Sequence, residues 1–275
     1  TASNNTAVGY QAGYSNTTGA YNTFLGDIAG RDNTTGSSNT AVGYGTMFEG
    51  TTTGSSNTAV GTVSMQNLSS GSYNVAIGTD SLKANTTASN NTAVGYQAML
   101  ANTTGHNNTA VGTASLDANL TGIENVALGS SSLSGNTTGS ENVAVGQGAL
   151  FANTEGDSNT AVGKSALVAN TTGSENTALG GGALDANTTA NDNTAIGYNA
   201  LGANTTGASN SVLGAYALDG NTTGANNVAV GRAALGVNST ASNNTAVGYN
   251  SLTANTTGSS LVAVGKGALD ANTTS

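Results

Sequence analysis

The chain has 275 residues, 40 of them Gly, with no Pro, Cys or Trp and a single His, and only 7% of the residues are charged. Five Lys and Arg face fourteen Asp and Glu, for a net charge of −9, which excludes an ordinary nucleic-acid binder with its clustered cations. The missing Cys exclude disulfides and thiolate zinc sites, and there is no apolar run of about 18 residues that would read as a membrane span.

The glycines set the organisation. Gly9, Gly26 and Gly43 are 17 residues apart, Gly61 follows after 18, and the 17-residue step then runs through Gly78, Gly95 and onward to Gly265. This makes sixteen copies of one unit with a single extra residue between Met47 and Asn57. The consensus reads N-T-A-V-G-Y-Q-A-L-x-A-N-T-T-G-x-N, numbered here as phases 1 to 17 with Asn5 at phase 1. A unit of this length is too short for a helix pair. It is also rich in Gly, Thr and Asn, which disfavour helix. Short Val- and Thr-rich pieces between fixed Gly turns predict one coil of a parallel β-solenoid per unit. The predicted fold is therefore all-β, a single solenoid array over residues 1–275 rising ~4.8 Å per coil. The absence of Pro agrees, since each coil must donate N–H groups to its neighbours. Position 1 is not Met and no signal peptide precedes the repeats, so the sequence reads as a piece of a longer array, with Thr1 at phase 14 and Ser275 at phase 15.

Each predicted element has its own residue signature. Phase 1 is Asn in fifteen coils, with Leu261 the exception. Phases 2 to 4 form the strand, Thr, Ser or Val followed by Ala and then Val, Ile or Leu. Phases 2 and 4 share one face and phase 3 takes the other. Phase 4, from Val8 to Val264, and phase 9, Leu or Met in all but Gly13 and Gly30, are assigned to the interior. Val145→Asp is accordingly expected to destabilise the coil. Because phases 2 to 4 are apolar or uncharged on both faces, the second face is expected to pack against a partner. Gly at phase 5 is expected to take a positive-φ corner, and Ala88, Ala190 and Ala241 at phase 15 predict a crowded but ordinary backbone there.

The remaining phases carry the candidate chemistry. Tyr10, Tyr44, Tyr96, Tyr198 and Tyr249 share phase 6, a corner row that reads as solvent-exposed packing or as a glycan-binding stripe. Lys164, Arg232 and Lys266 stand at phase 6 as well, while other charges collect at phases 10 and 17. Asn recurs at phase 12, for instance at Asn16, Asn102 and Asn204, in a pattern that suits amide ladders along the stack. The same residues also spell glycosylation acceptor sites. Thr ranks at phases 13 and 14, such as Thr103 and Thr104, suggest an ice-binding face on which only one of the two ranks can point outward. The glycine-aspartate nonapeptides of calcium-binding β-rolls are missing. His106 has no second ligand near it in sequence, and no residue set proposes a catalytic, cofactor or metal site. The expectation is a non-enzyme.

The runs Asn74-Val75-Ala76-Ile77-Gly78, Asn142-Val143-Ala144-Val145-Gly146 and Asn227-Val228-Ala229-Val230-Gly231 resemble the Val-Ala-Ile-Gly repeats of trimeric autotransporter adhesin heads. Similar repeats occur in phage tail fibres and other long surface fibres. The resemblance implies a trimer of β-rolls packed about a central axis, located at the cell surface, outside the cell or on a virion, and contacting a host surface or glycan. This unit is longer, by an added Asn-Thr-Thr-Gly segment. The expected function is a structural or adhesive extracellular fibre, with an ice-binding solenoid and a self-assembling head-to-tail filament or matrix subunit as the alternatives. The expected partner is a further copy of the chain, with no nucleic acid.

Overall fold

The structure is a computed structural model that describes residues 2–274; Thr1 and Ser275, and any meeting of the two ends in register, lie outside the described residues. The chain forms two compact units, Thr1–Gly139 and Ser140–Ser275. The first holds β1 (Thr6–Val8), β2 (Thr23–Leu25), β3 (Thr40–Val42), β4 (Thr58–Val60), β5 (Val75–Ile77), β6 (Thr92–Val94), β7 (Thr109–Val111) and β8 (Val126–Leu128). The second holds β9 (Val143–Val145), β10 (Thr160–Val162), β11 (Thr177–Leu179), β12 (Thr194–Ile196), β13 (Ser211–Leu213), β14 (Val228–Val230), β15 (Thr245–Val247) and β16 (Val262–Val264). Within each unit every strand pairs in parallel with the next, and there is no helix among the described residues. Both units are parallel β-solenoids with one strand per 17-residue coil.

The strands fall where β-branched residues flank an Ala, and each stops at the phase-5 glycine. That residue has φ between +121° and +143°, a region closed to L side chains. A Cβ on Gly95 would stand 2.4 Å from the Gly112 carbonyl oxygen of the next coil, so the corner is closed sterically as well. Phase 15 behaves as expected: its glycines are crowded by the next coil but keep an ordinary φ. The extra residue is absorbed at Gly50–Thr51. Glu49 still donates to Gln66 in the regular pattern, Thr52 pairs with Asn33 one residue out of step, and by Ser55, which accepts from the Ser37 N–H, the chain is back in register.

The interior differs from the expectation at one rank. Ala at phase 3 is fully buried in coil after coil (Ala41, Ala76, Ala110, Ala161), together with phase 8 and the Leu or Met of phase 9. Phase 4 points outward instead: Ile77 is 41% exposed, Leu179 46% and Leu213 50%, and Val145 is half-buried. Alternation puts phases 3 and 4 on opposite faces, so only one of them can meet phase 9 across the coil. The lumen is narrow enough that the Leu of phase 9 needs Ala opposite, not a β-branched residue. Coil 2 shows the same fit in reverse. Phe24 replaces Ala at phase 3 and is 1% exposed, and it occupies the space that side chains at Gly13 and Gly30 would need, at 2.8 and 2.3 Å from their Cβ positions.

Two Asn ranks complete the interior. The Nδ2 of each phase-1 Asn donates to the phase-15 carbonyl of its own coil, as from Asn108 to Gly122 at 2.9 Å, and its Oδ1 accepts the N–H of the next phase-1 residue, as from Asn125 at 2.9 Å. Phase-12 Asn side chains form an amide ladder, Asn119 to Asn102 and Asn136 to Asn119, both at 2.8 Å, and also donate to the phase-15 carbonyl three residues on. Where both Asn are present, the coil is thus closed by two amides meeting on one carbonyl. The phase-12 ladder breaks at the irregular coils, where Thr52 and Leu68 stand in its line and both are fully buried.

Candidate functional site

The outward strand face is a regular surface that the fold repeats coil by coil. Phase 2 supplies Thr, Ser or Val and phase 4 supplies Val, Ile or Leu, repeated in register from coil to coil within each unit. Neither rank holds a charged residue in any coil. The expected unsatisfied apolar face therefore exists, but it is made by phases 2 and 4. The bulky residues given to the core are the ones that build it.

The corners carry the polar functions. Phase 17 is exposed and takes a positive φ near +60° even where it is Glu124, Glu141 or Asp192. Phase 16 bonds along the stack instead: the Ser55 N–H donates to the Ser72 hydroxyl and the Asp157 N–H to the Ser174 hydroxyl. His106 shares that phase and is exposed. Thr at phase 13 donates its hydroxyl to the carbonyl of the next coil, as from Thr103 to Leu120 at 2.9 Å. Phase 14, including Thr104, is exposed in every described coil. Of the two Thr ranks, phase 14 therefore faces water. The acceptor-site asparagines at phase 12 are fully buried from Asn85 to Asn255, and their amide nitrogens donate to the neighbouring phase-12 Asn or to the phase-15 carbonyl. In the folded coil they are structural.

The described surface has no pocket, and no group of three or more His, Cys, Asp or Glu comes together among the described residues. No helix is long and apolar enough to cross a membrane. At phase 10, Gly202 stands between Asp185 and Asp219. The Oδ1 atoms of Asp219 and Asp185 lie 2.7 and 3.4 Å from where a Cβ on Gly202 would stand. Burial pushes both carboxyls above the ordinary range, and the Asp185 charge raises Asp219 further.

The Tyr row at phase 6 is exposed, from Tyr10 to Tyr249. In the second unit it joins other groups: the rings of Tyr198 and Tyr216 meet edge to face at 5.5 Å, and the Arg232 guanidinium lies between the rings of Tyr216 and Tyr249. Sequence reasoning placed Tyr198, Arg232 and Tyr249 at one corner but missed Tyr216, which sits at phase 7. Geometry and residue pattern define the class as parallel β-solenoid repeat proteins. The chain matches no protein-family model and no curated protein in sequence comparison.

Proposed function

We propose that this chain is a structural fibre protein. In this reading it is a β-solenoid segment of an extracellular or virion fibre that associates laterally with further copies of itself and presents its corners for adhesion. The observation that supports the reading is the outward phase-4 rank. A row of Val, Ile and Leu without a flanking charge, open to water in a single chain, is the kind of contiguous apolar strip that marks an interaction surface. Identical repeats make the strip complementary to itself, and the acidic residues that would repel a second copy stand at other phases. The adhesin-head resemblance favours a trimer as the form of assembly.

Light scattering on the purified chain tests this reading. An oligomer is expected, and a variant carrying Val145→Thr, Val162→Thr and Leu179→Thr should be shifted toward monomer while keeping its β-sheet circular dichroism. A wild-type chain that stays monomeric at high concentration would refute lateral association. The exposed phase-14 Thr rank favours ice binding as the second reading, and thermal hysteresis with faceted ice crystals would establish it.

A further inference from the structure

The second unit has three basic residues, Lys164, Arg232 and Lys266, and all three stand at phase 6. Each is exposed, and none has an ion-pair partner among the described residues. Both cations of the first unit are neutralised, Arg31 by Asp32 and Lys83 by Asp80, each at 2.9 Å. No acidic residue occupies phase 6 or phase 7 anywhere in the second unit. Asp185, Asp219 and Asp270 stand beside this edge at phase 10, with Asp270 Oδ2 3.4 Å from where a Cβ on Gly267 would be, and the three phase-6 cations project unpaired next to them.

Aromatic rings share the edge. Tyr198 is 56% exposed, Tyr249 45% and Tyr216 38%. The Arg232 guanidinium lies 5.8 Å from the Tyr216 ring centre and 5.9 Å from that of Tyr249, which holds both rings by cation–π attraction. The phase-6 positions on either side of Tyr198 are Gly181 and Ala215, so no bulky neighbour at that rank covers its ring, whereas Arg232 lies over one face of the Tyr216 and Tyr249 rings. The Tyr198 ring leans over Gly181, 3.6 Å from where a Cβ would be. The rings are thus held in place before any ligand arrives, which lowers the ordering cost of binding.

We propose that this edge binds an acidic polysaccharide, a chain of sugar rings bearing carboxylates at intervals, by stacking sugar faces on the Tyr rings and pairing carboxylates with the cations. Flat, exposed aromatic faces suit the C–H faces of pyranose rings better than a deep pocket would, because a chain can lie across them. Charge spacing selects the anion. At ~4.8 Å per coil, Lys266 lies two coils (roughly 10 Å) from Arg232, and Lys164 lies four coils (roughly 19 Å) from it. A nucleic acid presents its phosphates far more densely, about every 3.4 Å per strand in a duplex. A carboxylate on every second sugar is the sparser array that three cations can match. This inference deepens the adhesive part of the fibre reading and is independent of lateral association, since it concerns a corner and not the strand face.

Affinity electrophoresis of the full chain, in gels containing a polysaccharide of alternating uronate and N-acetylhexosamine, is the test. Retardation is expected with that polymer, weakened by added salt, and absent with a neutral dextran. Arg232→Gln should weaken binding about threefold, as for an exposed ion pair, and Tyr198→Ala with Tyr249→Ala about tenfold. Lys83→Gln, at a neutralised cation of the first unit, should change nothing. Far-ultraviolet circular dichroism of each variant separates lost binding from lost fold. Absence of retardation in the wild-type chain, equal weakening by Lys83→Gln, or tighter binding of single-stranded oligo-thymidylate would overturn the proposal.

Discussion

At the scale of single residues, asparagine does in the interior what a solenoid with a larger core would leave to apolar packing. The phase-1 side chain satisfies a carbonyl of its own coil and an N–H of the next, both cut off from water. Removing it strands the buried N–H of the next coil, while the carbonyl keeps its phase-12 donor, as Gly122 keeps Asn119. Asn108→Ala is expected to cost about 1–3 kcal/mol, read as a lower urea midpoint at unchanged slope. Asp185 and Asp219 act in the opposite sense. Their folded-state pKa values stand above the ordinary 3.8 because burial disfavours the charge, so between the two values the folded chain binds more protons than the unfolded one. Stability from this pair is present at low pH and declines as pH rises through the raised folded values. Asp219→Asn should raise the melting temperature at pH 7 and flatten its fall between acid and neutral pH. A variant less stable than wild type at pH 7 would contradict the assignment.

At the scale of the element, the coil, its length, strand position and two glycine corners were all legible in the sequence, because backbone geometry repeats with the residues that permit it. Which strand face turns inward was less legible. Hydrophobicity alone favours burying the Val, Ile and Leu of phase 4, yet Ala at phase 3 is the residue that fits opposite Leu. The signal that decides it was present in coil 2: Phe24 appears at phase 3 where Gly13 and Gly30 replace Leu at phase 9, a large-for-small exchange that only facing positions require. The left-handed conformations of Leu116, Leu150 and Leu201 could not be read, because Leu has no preference for them. Inter-coil hydrogen bonds impose them, as in Leu201 donating to Ala217. The Phe24–Gly30 fit is testable by a double-mutant cycle. Phe24→Ala should cost about 3–5 kcal/mol by leaving a cavity, Gly30→Leu alone should also destabilise by overpacking, and the double variant should recover much of the loss. Simple additivity would show that the two positions do not share space.

At the scale of the molecule, one rank links fold to function. With phase 4 outward, the proposed lateral association predicts that substitutions there act on assembly and substitutions at phase 9 on folding, so Val145→Asp should disrupt association more than coil stability. The candidate surface was only partly legible for the same reason. Sequence marked both strand faces as apolar or uncharged, but the inward turn of Ala decides which residues make the outward one. Tyr216 escaped because its phase does not match the Tyr row, and only the ring contacts reveal its place beside Arg232. The chain contains no Cys, so a single introduced thiol reports one position cleanly. The most direct measurement is the alkylation rate of Val162→Cys and Leu167→Cys, each followed across protein concentration. The account predicts slow labelling of the thiol at 167 at every concentration, and labelling at 162 that is fast in dilute solution and slows as copies associate. Fast labelling at 167, or labelling at 162 that ignores concentration, would contradict it.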